Sequence, residues 1–449
     1  MPYSTLFMPY STLLWIDGKE MKAHTFPEPC YTLYELANMA YKHFVTHLWV
    51  MPAYGDFIAI KGLGDWSFSC YENRKGQMMG AAARKRGHRQ IDVNIIFPQH
   101  TSWYGTEKAP GWLRDVEPHD LLITIHYLEQ ALGITITGSP GRTGWNYLKK
   151  LHPEWVEDVP GCDLKACHFD RKAAADIIWQ RPLLSIERKK LYLHKYDKNA
   201  AYPYAATQTD IGVGTPVHVD HGGDSLPVNN NQAVGVWRCD VKKNNDTWMS
   251  SGRPDDWREG ESWLMGPVIR LLRHAGYSVK AQEGYVFPEK HDVLVKWGKD
   301  LWAIRQGFSG PKWINKKCAG LAAKATKEMA NKTVGMTAFG DFDEDEEMAR
   351  PDIRLQVIAR HRELTWHNID KIRAMYGVTP CIVYMDALYY ASVENDGRKA
   401  LPELMKREGQ FGGYKWEGCI PMEKALPILD AKMSEASKLE ELNKIGWSV

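Results

Sequence analysis

Cys381-Ile-Val-Tyr-Met-Asp386-Ala-Leu-Tyr-Tyr390 is an almost unbroken apolar run with one acid at its centre. A carboxylate buried in such a run without a partner is costly. The acid therefore belongs at a hairpin turn, or where a cation supplies the missing charge. The pattern predicts an apolar strand pair over residues 380–391, interrupted by Asp386. Upstream, Lys190-Leu-Tyr-Leu-His-Lys-Tyr196 alternates as a strand and runs directly into Asp197. Alone, a strand-end acid is most often a helix cap or turn former.

Taken together, the two acids have a further use. Two strand-borne carboxylates that face one another can hold a pair of magnesium ions about 3.5–4 Å apart, clamping an attacking oxygen and a leaving one. A third element is Lys327-x3-Asn331-x2-Val334-Gly335. On a helix Lys327 and Asn331 are four apart and share a face, with Lys324 nearly one turn earlier. Ammonium groups and an amide on one face suit a triphosphate and a base edge. By itself this spacing is weak, because Lys and Asn on a helix usually just meet solvent.

The rest of the chain sets bounds on these readings. At 449 residues it suggests two or three folded units with ample core. With 44% hydrophobic and 25% charged residues it has an ordinary globular composition. The balance of 57 basic against 55 acidic side chains leaves a net charge of +2, so any nucleic-acid partner must be inferred from local patches. No apolar stretch reaches membrane-spanning length, and no signal-peptide pattern opens the chain. The eight scattered cysteines read as reduced thiols in a cytoplasmic protein. Composition cannot choose which of the 18 tryptophans stack on bases and which fill the core.

Met1-Pro-Tyr-Ser-Thr-Leu6 recurs as Met8-Pro-Tyr-Ser-Thr-Leu13, which suggests a slipped duplication or a start at Met8. Leu13–Ile16, Phe57–Ile60 and Val93–Phe97 read as strands, and 118–132 as a helix with apolar residues at Leu121, Ile125, Leu128 and Leu132. The basic knot Ala83-Arg-Lys-Arg-Gly-His-Arg89 is a solvated loop or a phosphate contact. Residues 153–170 form a polar connector. It holds Cys162, Cys167 and His168, with His152 upstream, but their spacing is not a paired CxxC and a second pair is missing, which counts against zinc. Further on, 233–239 and 277–287 read as strands, and 261–275 as an amphipathic helix. Helices are expected over 292–305, 316–337 and 353–376. The acidic cluster at 341–347 reads as a solvated turn.

In order and content these elements resemble the three polymerase motifs of the family B DNA polymerases, over roughly residues 175–420. Asp197-Lys-Asn-Ala-Ala-Tyr202-Pro203 stands in the first motif, Asp-x-x-Ser-Leu-Tyr-Pro. Lys327, Asn331 and Gly335 match the second, Lys-x3-Asn-x2-Tyr-Gly, with Val334 in place of Tyr. In the third, Tyr-x-Asp-Thr-Asp-Ser, Asp386 takes the second, metal-binding Asp and Tyr384 the first. Ala359-Arg-His-Arg362 resembles the helix ahead of the third motif, and Asp300–Arg305 the first finger helix. The stretch Gly409–Glu417 resembles the end of a family palm. The insert around Glu261 and Tyr277–Tyr285 looks most like the protein-primed phage and linear-plasmid branch.

The resemblance implies an α+β fold: a right-hand polymerase palm and fingers behind an N-terminal RNase H-like, exonuclease-like α/β domain. It divides the chain into a degenerate exonuclease-like domain at 1–170, palm with a β-rich insert at 171–298, fingers at 299–340, palm at 341–420 and a short thumb remnant at 421–449. By carry-over Asp197 and Asp386 hold Mg2+ or Mn2+, while Arg305, Lys324 and Lys327 hold the incoming triphosphate. Tyr202 becomes the steric gate against a ribose 2′-OH, and Asn331 lines the nascent base pair. The implied activity is template-directed DNA synthesis from dNTPs by a compact, non-proofreading enzyme, primed by a protein or by nothing. DNA is the expected partner, alone or with a priming or accessory protein, in a phage, plasmid or mobile element. Three departures support the alternative of an inert, polymerase-like DNA-binding or replication-accessory protein: Trp179-Gln-Arg-Pro182 replaces the linker motif, Asp17-Gly-Lys-Glu20 lacks exonuclease spacing, and Lys432-Met-Ser434 only echoes a thumb motif. A fourth, Val334 in place of a tyrosine that touches the nascent pair in the family, bears on fidelity.

Overall fold

The structure, a computed structural model, describes residues 4–8, 12–17, 20–25, 33–43, 45–51, 66–72, 78–86, 89–98, 111–114, 116–153, 167–169, 178–220, 234–242, 260–337 and 350–448. The expected strand at 57–60, Cys162 and the acidic cluster at 341–347 lie outside the described residues.

The chain begins with β1 (Ser4–Met8), β2 (Thr12–Asp17), β3 (Glu20–Thr25), α1 (Leu33–Lys42) and β4 (His47–Val50). Then come β5 (Trp66–Glu72), β6 (Met78–Arg86), β7 (Arg89–Ile96), α2 (Pro118–Leu132) and α3 (Pro140–Leu151). After β8 (Ile178–Gln180), β9 (Tyr192–Lys198) and α4 (Ala201–Ala206) follow β10 (Ile211–Val213), β11 (Val217–Asp220), β12 (Gly235–Lys242) and β13 (Gly260–Met265). The next elements are α5 (Gly266–His274), β14 (Ser278–Val286), β15 (Glu289–His291), α6 (Val293–Gly307), α7 (Lys316–Met336) and α8 (Pro351–Tyr376). The chain closes with β16 (Ile382–Tyr384), β17 (Ala387–Ser392), α9 (Gly397–Ala400), α10 (Pro402–Met405), β18 (Tyr414–Pro421), α11 (Met422–Asp430) and α12 (Glu435–Ile445).

Two compact units divide the chain: Met1–Pro153 with Asp300–Met336, and Glu154–Lys299 with Thr337–Val449. In the first, a seven-stranded sheet runs β3-β2-β1-β4-β7-β6-β5. β1, β2 and β3 form an antiparallel meander, while β4 pairs in parallel with both β1 and β7. Of the duplicated N-terminal segment, residues 4–6 lie in β1 and 12–13 in β2, and of the basic knot, residues 83–86 lie in β6 and Arg89 in β7. Leu36, Ala37 and Ala40 of α1 close over Leu48, Val50, Val93 and Ile95. α7 packs on α2 and α3. The contact is close because α3 presents glycines: a Cβ on Gly141 would meet Met336 Sδ at 2.0 Å, and one on Gly144 would meet Thr333 Oγ1 at 2.0 Å.

The second unit is built on an antiparallel five-stranded sheet, β18-β9-β17-β16-β8. Strand alternation sorts its side chains. Tyr196, Val383, Leu388, Tyr390, Tyr414 and Trp416 join Leu355, Ile358, Ala359 and Trp366 of α8 in one core. Leu193, Ile382, Ala387, Tyr389 and Ile420 on the opposite face pack with Met422, Ala425 and Leu429 of α11 and Leu439 and Leu442 of α12. Each buried Leu, Ile, Val or Met side chain among them contributes about 1.5–3 kcal/mol. The insert is a four-stranded sheet, β11-β14-β12-β13.

Expected and observed elements differ at 261–275. Instead of one helix, 260–265 form β13, and the helix begins only at Gly266. Arg238↔Trp263 and its neighbours pair β13 with β12, so ladder bonding overrides the helical spacing, and Pro267 sits at the helix start where its missing N–H is harmless. The Trp179–Pro182 stretch also has a structural account. Arg181, 5% exposed, makes a bidentate pair with Glu187 at 2.5 and 2.7 Å, and donates to Thr379 O and Pro380 O.

Candidate functional site

Asp197 lies on β9, and Asp386 at the turn that leads into the strand paired with it. Asp386 and Met385 form the two-residue turn between β16 and β17, with Met385 at φ 52°. Its neighbour Ala387 lies directly across from Asp197, and Lys198 N donates to Asp386 O at 3.2 Å. The acid that interrupts the apolar run thus sits at a hairpin turn, as the cost of burying it requires. Two steps after Lys198 the chain turns through Ala200, at φ 52°, into α4, which carries Tyr202 in its first turn. Gly412, at φ 71°, lets the loop before β18 close on this corner: its N–H bonds Asn199 O at 3.0 Å, and a Cβ there would meet the Tyr204 ring at 2.3 Å.

His361 ties these parts together. Its Nε2 donates to Met385 O at 3.2 Å, and its ring lies 5.1 Å from that of Tyr202. Burial, with Lys198 adding to it, pushes the imidazole pKa down to about 3, so the ring is neutral. Lys198 is itself 2% exposed, its ammonium over the rings of Tyr204 at 5.3 Å and Tyr414 at 5.7 Å. Burial lowers its pKa to about 8 against the pull of Asp386.

On the other face of β9, Asp197 faces Lys415 of β18, whose Nζ lies 3.2 Å from Asp197 Oδ2 and 2.5 Å from Glu417 Oε1. Glu417 sits in the bulge between Trp416 and Gly418 and also pairs with Lys195 at 2.8 Å. Burial raises the Asp197 pKa, opposed by Lys415 and reinforced by Glu417.

The structure groups the expected site residues into two sets. Asp197, Asp386 and Tyr202 belong to the second unit, with Asp197 on the face of β9 opposite the one against which Tyr202 and His361 lie; Arg305, Lys324, Lys327 and Asn331 belong to the first. The last three are exposed on one stripe of α7, away from the buried Ala322, Ala325, Thr326 and Met329. Arg305 of α6 is half-buried, 5.7 Å above the Trp302 ring, and burial lowers its pKa. Val334 is buried and Tyr384 half-buried, paired with Ala387 and Ile178.

Sequence reasoning assigned no role to Lys198, Lys415 or Glu417. A signal existed for the last two: in Tyr414-Lys-Trp-Glu417, aromatics alternate with charges, the mark of a strand with one polar face. Among the described residues no three His, Cys, Asp or Glu side chains form a metal-ligating group. His168 stacks on Trp263 at 4.1 Å, and Cys167 packs against the core. Among the described residues, Cys167, Cys239, Cys318, Cys381 and Cys419 are not joined in disulfides. No described helix is long and apolar enough to cross a membrane.

No family model matches the sequence, and no curated protein does. Solved structures do match. Phi29 DNA polymerase in a ternary complex with primer-template DNA and incoming nucleotide has a TM-score of 0.56 at 13% identity, covering 93% of this chain and 85% of that one. Its post-translocation binary complex with primer-template DNA gives 0.53 at 14% identity, covering 93% and 84%. An orthorhombic crystal form of the polymerase gives 0.52 at 14% identity, covering 93% and 85%. At such identities the likeness is one of fold. The resemblance to family B DNA polymerases carried by the motifs is therefore a resemblance of fold, and it extends over 93% of the chain.

Proposed function

We propose that the protein performs template-directed DNA synthesis, joining dNTPs to a growing 3′ end. The observation that carries this is the Asp197/Asp386 arrangement: one acid on β9, followed by the helix that carries Tyr202, and the other at the hairpin turn leading into the strand paired with β9. The fold likeness to a DNA polymerase supports it. In this reading β8, β9, β16–β18 and α8 are the palm and α6 and α7 the fingers. The β1–β3 meander, continued in parallel by β4 and β7, supports an RNase H-like N-terminal domain.

The donor set at Asp197 and Asp386 is all carboxylate oxygen, which suits a hard divalent cation that completes its shell with water and phosphate. Mg2+ or Mn2+ held there supplies charge neutralisation for the attacking and leaving oxygens. The protein's own part is positioning. The 3′-oxygen forms a bond to the α-phosphorus, the bond to pyrophosphate breaks, and the hydroxyl proton leaves to solvent. Tyr202, braced by His361, excludes a ribose 2′-OH; Arg305, Lys324 and Lys327 hold the triphosphate, and Asn331 lines the base pair. DNA is the partner, with priming by a protein or without a primer.

Primer extension and primer-free synthesis with magnesium or manganese test the proposal. Asp386→Ala is expected to lower incorporation by about a thousandfold or more; an equally active variant, or a wild type inert on every template, overturns it. A second reading, an inert DNA-binding protein on the same fold, is favoured by one observation: Asp197 already has an amine partner in Lys415. Its sign is tight DNA binding indifferent to divalent metal and nucleotide.

A further inference from the structure

The open face of β9 carries a self-neutralised chain of charges: Asp197, Lys415, Glu417 and Lys195, joined at 3.2, 2.5 and 2.8 Å. The two amines in it are not equivalent. Lys195, 19% exposed, lies on an inner strand with its ammonium 5.8 Å from the centre of the Trp447 ring. Lys415, 38% exposed, stands on the outermost strand of the sheet, where a long flexible side chain can swing into water. Its departure leaves Glu417 still paired with Lys195, whereas Asp197 loses the cation across from it.

A half-buried carboxylate without a counter-charge is unfavourable, and Lys415 Nζ, 3.2 Å from Asp197 Oδ2, is the cation that faces it from the neighbouring strand. A divalent cation needs the same oxygen that the ammonium occupies. We propose that Lys415 is a resident counter-ion for Asp197 that competes with a divalent cation for this carboxylate, so that metal binding and release of Lys415 are one coupled event. The inference rests on Asp197 being a metal-binding carboxylate. Lys415 is thus a positioning residue: it holds and orients the Asp197 carboxylate until the metal arrives, and Lys195 keeps Glu417 from following it.

Coupling of this kind is read directly from binding, because a competitor removed is affinity gained. The test titrates Mn2+ into the full chain, without DNA or nucleotide, and follows free Mn2+ by electron paramagnetic resonance. Lys415→Met is expected to bind Mn2+ about fivefold tighter than the wild type, the scale of a half-exposed ion pair. Lys415→Arg, which can hold a carboxylate with two donors, is expected to bind Mn2+ more weakly than the wild type. Without metal, Lys415→Met is expected to melt below the wild type, and saturating Mn2+ to close the gap. Asp197→Asn identifies which binding event is meant. If Asp197-dependent binding is present but Lys415→Met leaves it equal or weaker, the counter-ion role is overturned while the metal site stands. If no variant shows Asp197-dependent binding, the metal-binding reading of Asp197 falls and takes the inference with it. Should Lys415→Met not fold, the arginine variant decides: affinity equal to or above the wild type overturns the proposal.

Discussion

On one face of β9, His194, Tyr196 and Lys198 are sealed against the α8 side; on the other, Lys195 and Asp197 stay half-open beside Lys415 and Glu417. Both faces carry charge, but they treat it differently. The sealed face gives several of its polar groups a fixed partner. Tyr196 donates to Gly397 O at 2.9 Å, Trp416 Nε1 donates to His194 Nδ1 at 3.1 Å, and His361 donates to Met385 O. On the open face a carboxylate shares a lysine that also serves a neighbour, so partners can be exchanged. Fixed partners hold the strands and the Asp386 turn in register. Exchangeable ones leave a carboxylate available to an incoming cation.

The largest effect expected from this contrast is at Arg181, sealed at the far edge of the same sheet. Arg181→Met strands Glu187, only 13% exposed, and is expected to cost about 3–5 kcal/mol in urea unfolding. A loss below about 1 kcal/mol breaks the distinction between sealed and open pairs. The next effect is in the acid limb. His361 has a folded pKa of about 3 against 6.5 in the unfolded chain, so only the unfolded chain takes up the proton between those values. Its contribution is complete above about pH 6.5 and is lost as pH falls, at about 1.4 kcal/mol per pH unit once well below that value. Wild type should therefore lose about 3 kcal/mol more than His361→Asn between pH 7 and about pH 4.5. Parallel stability curves for the two proteins would remove the sealed-face account of this histidine. The smallest effect is at Lys195. Lys195→Met leaves Glu417 with Lys415 and is expected to cost about 1 kcal/mol or less in the same unfolding assay. A loss as large as that at Arg181 would mean the open face is not open.

Much of this was legible because it depends on short-range pattern. The 118–132 helix is bounded by Pro118 at its start and by Gly133, at φ 63°, at its end, both readable as letters. The strand pair around Asp386 followed from an acid in an apolar run, and the shared face of Lys324, Lys327 and Asn331 from helical spacing. The stretch 261–275 was misread because its apolar spacing also fits a strand followed by a helix, and only pairing with β12 chooses between them. Lys198 went unnoticed as a buried amine because nothing in Tyr-Asp-Lys-Asn announces that Tyr204 and Tyr414 will close over it.

By itself, then, the sequence determined which residues carry charge, most of the strands and helices that hold them, and that Asp197 and Asp386 stand beside apolar strand segments. Those are local consequences of side-chain period and of the cost of burying a lone acid. Tertiary structure alone decided the partners: Lys415 across from Asp197, Glu417 turned by a bulge towards two lysines, and His361 bracing the Asp386 turn from 25 residues away in sequence. Strand register and helix docking bring distant residues within a few ångströms, and the strength of a charge interaction is set by that distance and by burial.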